Sequence, residues 1–166
     1  MSTGRSCGTC TFCCKVMEVT ELAKPVGVWC PHCAIGKGCG IYATRPAECA
    51  TFVCQWLGDP DLPEDMQPDR IKVMFSADST GRSFVARCDP AYPLAWKSPQ
   101  VFALLKKTAN HIWNTHGTVL ATAGRRTWLI TPAAEYDLGD VDPNADIAFR
   151  KLPNGAAEVT VRPPQP

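Results

Sequence analysis

The spacing of hydrophobic residues predicts helices in some segments of this chain and strands in others. The clearest helical pattern follows Ser98-Pro99, a typical helix start, and ends before Gly117. Apolar side chains recur there every three or four residues and form one face, made of Val101, Leu104, Leu105, Thr108, Ile112 and Trp113. The sequence therefore predicts one long amphipathic helix over residues 99–116.

A second helical pattern begins after Thr44, which is a favourable N-cap residue, with Pro46 in the first turn. It predicts a helix that runs to Leu57 and stops at Gly58, with an apolar face made of Cys49, Phe52, Val53, Trp56 and Leu57. Cys54 lies five residues after Cys49, which is about 140° around a regular helix. On such a helix these two thiols cannot reach one small site.

Alternating apolar and polar residues predict three hairpins. The paired segments are 70–76 with 82–88, 118–122 with 127–130, and 145–151 with 157–162. The last pair flanks Asn154-Gly155, which is a favoured two-residue turn. The first pair ends at Cys88, and we expect it to carry that cysteine back towards the other cysteines.

Composition and charge restrict the possible function. A formal net charge of +1 disfavours recruitment by nucleic acid or by anionic membranes. No stretch approaches about 18 consecutive apolar residues, so no membrane-spanning helix is expected. The first residues lack the apolar run of a secretory signal, and we expect a cytoplasmic location without a membrane partner. No Walker motif, dinucleotide-binding glycine loop or nucleophile elbow is present, which leaves enzymatic activity undecided.

Cysteines dominate the first third of the chain. Nine of the ten lie there, namely Cys7, Cys10, Cys13, Cys14, Cys30, Cys33, Cys39, Cys49 and Cys54. In a reducing compartment such a cluster is more typical of metal binding than of disulfides, although a disulfide framework in an exported protein is an alternative. Soft thiolates favour zinc, an iron–sulfur centre or Cu(I) over hard cations. Of these we expect zinc or iron, and we rank Cu(I) below both.

The cysteine spacing leaves zinc and iron equally open. Eight thiolates could form two four-cysteine zinc sites, and folding would then be coupled to metal binding. Cys7-x2-Cys10-x2-Cys13 also matches the opening of a ferredoxin-type run, and Cys30-Pro31 supplies a later Cys-Pro. The adjacent Cys13 and Cys14 favour two metal ions or a polynuclear cluster, because neighbouring side chains diverge. One ligand beside one packed, non-ligating cysteine is the alternative.

Histidines add little to this set. His32 stands between two cysteines and is a further candidate ligand, although a surface role is more usual for a histidine in such a loop. His111 and His116 fit a solvated face of the long helix.

One set of motifs resembles a known family. Cys7-x2-Cys10-x2-Cys13-Cys14, Cys30-Pro31 and Cys39-Gly40-Ile41-Tyr42-x2-Arg45-Pro46-x2-Cys49-x2-Phe52 are similar to the YkgJ-type cysteine-cluster family, the CxxCxxCC zinc- or iron-chelating domain proteins. The resemblance covers about residues 7–57, and Arg87-Cys88-Asp89 is similar to a later element of that family. It implies metal chelation by Cys7, Cys10, Cys13, Cys14, Cys30, Cys39, Cys49 and Cys88. Cys33, Cys54 and His32 are additional candidates outside the family pattern.

These observations give one prediction for the whole chain. The predicted fold class is α+β. A small metal-organised cysteine-rich part at residues 1–58 packs on a second part at residues 70–166, which contains the hairpins and the one long helix. Residues 59–69, which are acidic and proline-rich, are predicted as the linker within one compact unit. The predicted function is chelation of zinc or an iron–sulfur centre by about eight thiolates. An iron–sulfur redox enzyme or electron carrier is the alternative, and a zinc interaction module is a second one.

Overall fold

A computed structural model describes residues 4–115, 117–154 and 156–164, and its helices and sheets confirm the α+β class. The α-helices are α1 (Cys13–Val16), α2 (Ala47–Thr51), α3 (Gln55–Gly58), α4 (Pro68–Ile71) and α5 (Pro99–Ile112). The strands are β1 (Cys33–Ala34), β2 (Gly38–Cys39), β3 (Val73–Ala77), β4 (Ser83–Cys88), β5 (Thr118–Ala123), β6 (Arg126–Ile130), β7 (Glu135–Asp140), β8 (Asp146–Lys151) and β9 (Ala157–Arg162). Short 3-10 helices occupy Thr20–Leu22, Tyr42–Thr44, Glu64–Met66, Ala95–Lys97 and Trp113–Thr115.

A five-stranded sheet with the order β3-β4-β5-β6-β7 forms the centre of the fold. Neighbouring strands are antiparallel except β4 and β5, which are parallel. A parallel pair cannot be joined by a tight turn, and here α5 lies in the connection between the two strands. The strands β1 with β2 and β8 with β9 form two separate hairpins.

The long predicted helix is confirmed, and its apolar side packs on one face of the sheet. It ends at Ile112 and continues as the 3-10 turn Trp113–Thr115, whereas His116 lies outside the described residues. Alternation along the strands directs every second side chain to this face. The resulting core contains Val101, Leu105, Ala109 and Ile112 from α5 and Val73, Phe75, Phe84, Ala86, Val119, Ala121, Trp128 and Ile130 from the strands.

The cysteine-rich region contacts the opposite face of the sheet. Met74 of β3 is 1% exposed and packs there with Phe12 and Val16 of the α1 segment. An ion pair fixes the same contact, because Lys15 Nζ lies 2.6 Å from Asp89 Oδ1 just after β4. The α1 segment and α5 therefore lie on opposite faces of the sheet.

All three predicted hairpins form. The first strand begins at Val73 rather than Arg70, because Pro68–Ile71 is helical. Of the last turn, Asn154 is described and Gly155 lies outside the described residues. The β8–β9 hairpin is joined to the rest by the Ala157 N–H, which donates to Tyr136 Oη (2.8 Å), and by stacking of Trp113 on Phe149 at 5.1 Å between ring centroids.

The predicted helix over 44–57 is wrong. Residues between α2 and α3 are extended, with ψ of 126° at Phe52 and 153° at Cys54, and Thr44 ends a 3-10 turn instead of capping a helix. Packing explains the break. Phe52 lies against Phe12 and Val16, whereas Trp56 belongs to the core under α5, and one regular helix cannot place both.

The segment predicted as a linker is part of the packed structure. Leu62 is 6% exposed and Met66 is 2% exposed, and both belong to the core that contains Trp56. The Arg5 guanidinium also donates to the Leu62 carbonyl (2.6 Å) and to the Asp59 carbonyl (2.9 Å). Residues 59–69 therefore hold the cysteine-rich region on the sheet.

Candidate metal centre

The first cysteine run divides between a turn and a helix. The Cys10 N–H donates to the Cys7 carbonyl (2.8 Å), which closes a turn, and α1 begins at Cys13. The cysteines of the run have different thiol neighbours, because Cys10 is influenced by Cys54, whereas Cys14 hydrogen-bonds with Cys13 and Cys33. The run therefore contributes to two groups of thiols.

A loop carrying three further cysteines is bound to α1 by backbone hydrogen bonds. The Cys30 N–H donates to the Cys14 carbonyl (2.9 Å). Strands β1 and β2 pair within this loop and place Cys33 opposite Cys39. The Gly40 N–H donates to the His32 carbonyl (2.8 Å), and a Cβ at Gly40 would lie only 3.1 Å from that oxygen. A glycine is favoured at this close approach because any side chain would crowd the carbonyl.

Helix α2 brings Cys49 to the same place. Burial raises the pKa of Cys49, and the thiolate charges of Cys14, Cys30 and Cys39 raise it further. Together the three segments define what we name the major thiol group, which consists of Cys13, Cys14, Cys30, Cys33, Cys39 and Cys49.

Thiols in the major thiol group hydrogen-bond to one another. The hydrogen bond with Cys13 is the main cause that raises the pKa of Cys14, followed by burial. Burial and the neighbouring Cys14 raise the pKa of Cys33 to about 11. Because adjacent thiolates repel each other, these sulfurs favour the protonated state without a cation among them.

One buried cation lies beside the major thiol group. Lys24 is 3% exposed, and its Nζ donates to the carbonyls of Met17, Lys15 (3.2 Å) and Pro25 (3.1 Å). Burial lowers the pKa of Lys24, and the opposite charges of Cys30 and other thiolates of the group act against that decrease. Sequence reasoning missed this residue, because a lysine outside the helix and strand patterns gives no signal of burial.

Three other cysteines form what we name the minor thiol group, which is Cys7, Cys10 and Cys54. Burial raises the pKa of Cys10, and the charges of Asp69 and Cys54 add to the increase. Burial likewise raises the pKa of Cys54, and the charge of Cys7 adds to it. The Asp69 backbone hydrogen-bonds to the Cys10 sulfur, while Asp69 Oδ1 is buried without a hydrogen-bond partner among the described residues.

Two predicted ligands do not join either group. Cys88 is 1% exposed in the core under α5, and burial raises its pKa to about 12. Our expectation that the hairpin returns Cys88 to the other cysteines is wrong, because strand alternation directs it to the α5 face of the sheet. His32 is exposed, and it contributes its carbonyl to the loop.

Cys33, Cys49 and Cys54 are the remaining cysteines for which the sequence supported a specific expectation. Cys33, which the family pattern leaves out, lies within the major thiol group. Cys49 and Cys54 fall into different groups, although the reason is the break after α2 rather than their angle on a regular helix.

Neither group is a preformed coordination shell. Throughout the described ranges 4–115, 117–154 and 156–164, no three His, Cys, Asp or Glu side chains form a set that could hold a metal ion. All ten cysteines fall within these ranges and carry free thiols. The two groups are therefore neighbouring thiols that would have to move closer together to act as ligands.

Comparison with known proteins identifies no relative, since no protein-family model, curated protein or solved structure matches the chain. The resemblance of residues 7–57 to the cysteine-cluster family thus depends on the motif residues alone. Within the part of the chain that the structure describes, no helix has the length and apolar character needed to cross a bilayer.

Proposed function

We propose that this chain is a metal-binding protein of the YkgJ-like cysteine-cluster type, in which the major thiol group chelates zinc or an iron–sulfur centre. The proximity of six cysteines supports the proposal, because they come from segments far apart in sequence and still influence one another electrostatically or pair directly. Because the thiols are free, we also propose a reducing compartment such as the cytoplasm.

The electrostatics of the major thiol group favour a soft cation. Crowded thiols raise one another's pKa, and a bound metal ion would reverse this effect by stabilising the thiolates. A tetrahedral zinc ion takes four ligands, so six thiols exceed the need of one ion. Two ions that share thiolates, or a polynuclear cluster, would use the whole set.

The minor thiol group has the donors for a separate centre. Cys7, Cys10 and Cys54 supply three sulfurs, and Asp69 supplies a carboxylate oxygen beside Cys10. A buried carboxylate oxygen without a partner is costly, and a cation bound among these groups would remove that cost. Three sulfurs and one oxygen also match the tetrahedral coordination of zinc.

An iron–sulfur centre, with a redox role, is the second candidate. The hydrogen-bonded neighbours Cys13 and Cys14 favour it, because adjacent thiolates suit a polynuclear cluster better than one ion. Such a centre supplies one-electron chemistry when bound. The contribution of this chain would be the thiol ligands and the buried charge of Lys24, which stabilises negative charge nearby.

Elemental analysis and a visible spectrum of the full chain, purified without oxygen, test the proposal. We expect zinc or iron in at least stoichiometric amount, with visible thiolate-to-iron absorption if iron is the metal. The variants Cys39→Ser and Cys49→Ser should lose metal from the major thiol group, and Asp69→Asn should lose only the metal of the minor thiol group. Wild-type protein that contains no metal, and binds none from zinc or from iron with sulfide, would overturn the proposal.

A further inference from the structure

A cavity of about 310 Å³ lies on the sheet face opposite α5. Strands β4 and β5 form its floor, the segment after α1 forms one wall, and residues 141–147 form the other. The lining is mixed, with apolar side chains such as Val85, Leu120 and Ile147 beside the charged Arg87. The cavity is therefore a pocket with a cation at its floor.

Arg87 is held in this pocket by the fold. It alternates along β4 with Ala86 and Cys88, which face α5, so its side chain lies on the cavity side. Its Nη1 donates to Ser76 Oγ across β3 and β4, and among the described residues it forms no ion pair. A guanidinium has five N–H donors, so most of them lack an acceptor among the described residues.

No carboxylate among the described residues forms an ion pair with this half-buried guanidinium. Burial lowers the pKa of Arg87, and no acidic group contributes an opposite effect. An arginine nevertheless keeps its charge at neutral pH. Arg87 is half-buried, and its free N–H donors at the cavity can offer an incoming anion charge-assisted hydrogen bonds.

We propose that the cavity binds a small monocarboxylate, whose carboxylate pairs with Arg87 and whose apolar part contacts Val85, Leu120 and Ile147. The planar fork of a guanidinium matches the two oxygens of a carboxylate. The apolar lining favours a ligand with a hydrocarbon part over a free inorganic anion.

Acidic residues at the cavity make a doubly charged ligand unfavourable. Glu18 and Asp142 both line it, and Asp142 pairs with Arg125, whose Nη1 lies 4.0 Å from its Oδ2, whereas Glu18 forms no ion pair among the described residues. A phosphate dianion would be repelled by these carboxylates, whereas a monocarboxylate carries only the charge that Arg87 neutralises. The inference does not depend on the metal proposal, because no cysteine lines the cavity.

Calorimetric titration of the full chain with hexanoate, 1-hexanol and inorganic phosphate tests this site. We expect hexanoate to bind at least about tenfold more tightly than either other compound. A decrease in affinity of about tenfold is what the loss of one charge-assisted hydrogen bond would cause. Equal affinity for hexanol, stronger binding of phosphate, or no binding of hexanoate would each overturn the proposal. These titrations use wild-type protein, so they test monocarboxylate binding even if a variant fails to fold.

Variants then assign the site to Arg87. Arg87→Met keeps the aliphatic stem and should abolish hexanoate binding with the metal content unchanged. Arg82→Gln, at an exposed arginine of the same hairpin, is the matched control and should bind hexanoate like the wild type. Hexanoate binding that survives in a folded Arg87→Met variant would place the ligand elsewhere and refute the assignment.

Discussion

Residues 4–58 and residues 59–164 are stabilised in different ways. Twenty of the 24 buried hydrophobic side chains in the described residues lie after residue 58, and the earlier four are Phe12, Val16, Val19 and Trp56. Large exposed hydrophobic side chains show the opposite trend, since four of seven lie in the first region: Val28, Ile35, Tyr42 and Val53. The cysteine-rich region therefore buries too little apolar surface to fix its own loops.

Polar contacts replace apolar packing in the cysteine-rich region. Buried or half-buried cations donate to carbonyls there, as Lys24 does beside the thiols and Arg5 does at Trp56 (2.8 Å). By contrast, the sheet has a continuous hydrogen-bond ladder from β4 to β6 and an apolar core under α5. If the proposed metal is bound, we expect it to stabilise the first region strongly and the second region little.

Chelation under reducing conditions should produce the largest difference between the two regions. Structural zinc contributes about 10–16 kcal/mol to the folding of small zinc modules. We expect hydrogen exchange of the Cys30 and Gly40 amides to accelerate when metal is removed, because their hydrogen bonds join the loop that carries the thiols. The amides of β5 and β6 should stay protected. Equal loss of protection in both regions, or none in either, would contradict the comparison.

Breaking the ion pair between the regions should have the next largest effect. Lys15→Met leaves Asp89, which is 8% exposed, without its cation, and removing one partner of a buried pair costs about 3 kcal/mol. The free energy of unfolding in urea measures this loss. Lys37→Met, at an exposed lysine of the cysteine loop, is the control and should change stability by no more than about 0.5 kcal/mol. A Lys15→Met variant as stable as this control would show that the pair contributes nothing.

Replacing Cys88 should have the smallest effect and gives the sharpest test of its assignment to the sheet. Cys88→Ala removes a buried sulfur from the core under α5, and we expect a loss of about 1–2 kcal/mol without any loss of metal. In the wild type the raised pKa of about 12 keeps this thiol protonated at neutral pH, so it should resist alkylation in the native state. If the Cys88→Ala variant lost metal, Cys88 would again be a candidate metal ligand.

Local patterns were sufficient to predict much of the second region. The helix α5 and the three hairpins follow from short-range periodicity and turn residues, which act between neighbours in the chain. Strand β7 escaped prediction because its alternation is short, with only Tyr136 and Leu138 as apolar positions, and it lies at the edge of the sheet. The helix expected through Phe52 failed because two separate apolar clusters compete for that segment.

The sequence by itself determined that soft, thiol-rich chemistry is concentrated before residue 58. Only the tertiary structure decided how the thiols divide, since the turn at Cys7–Cys10 and the start of α1 at Cys13 send adjacent cysteines to different groups. It also placed Cys88 under α5 and Arg87 in the cavity, although the two are neighbours in sequence. The physical reason is that side-chain direction is local, whereas what a side chain meets depends on how distant segments pack.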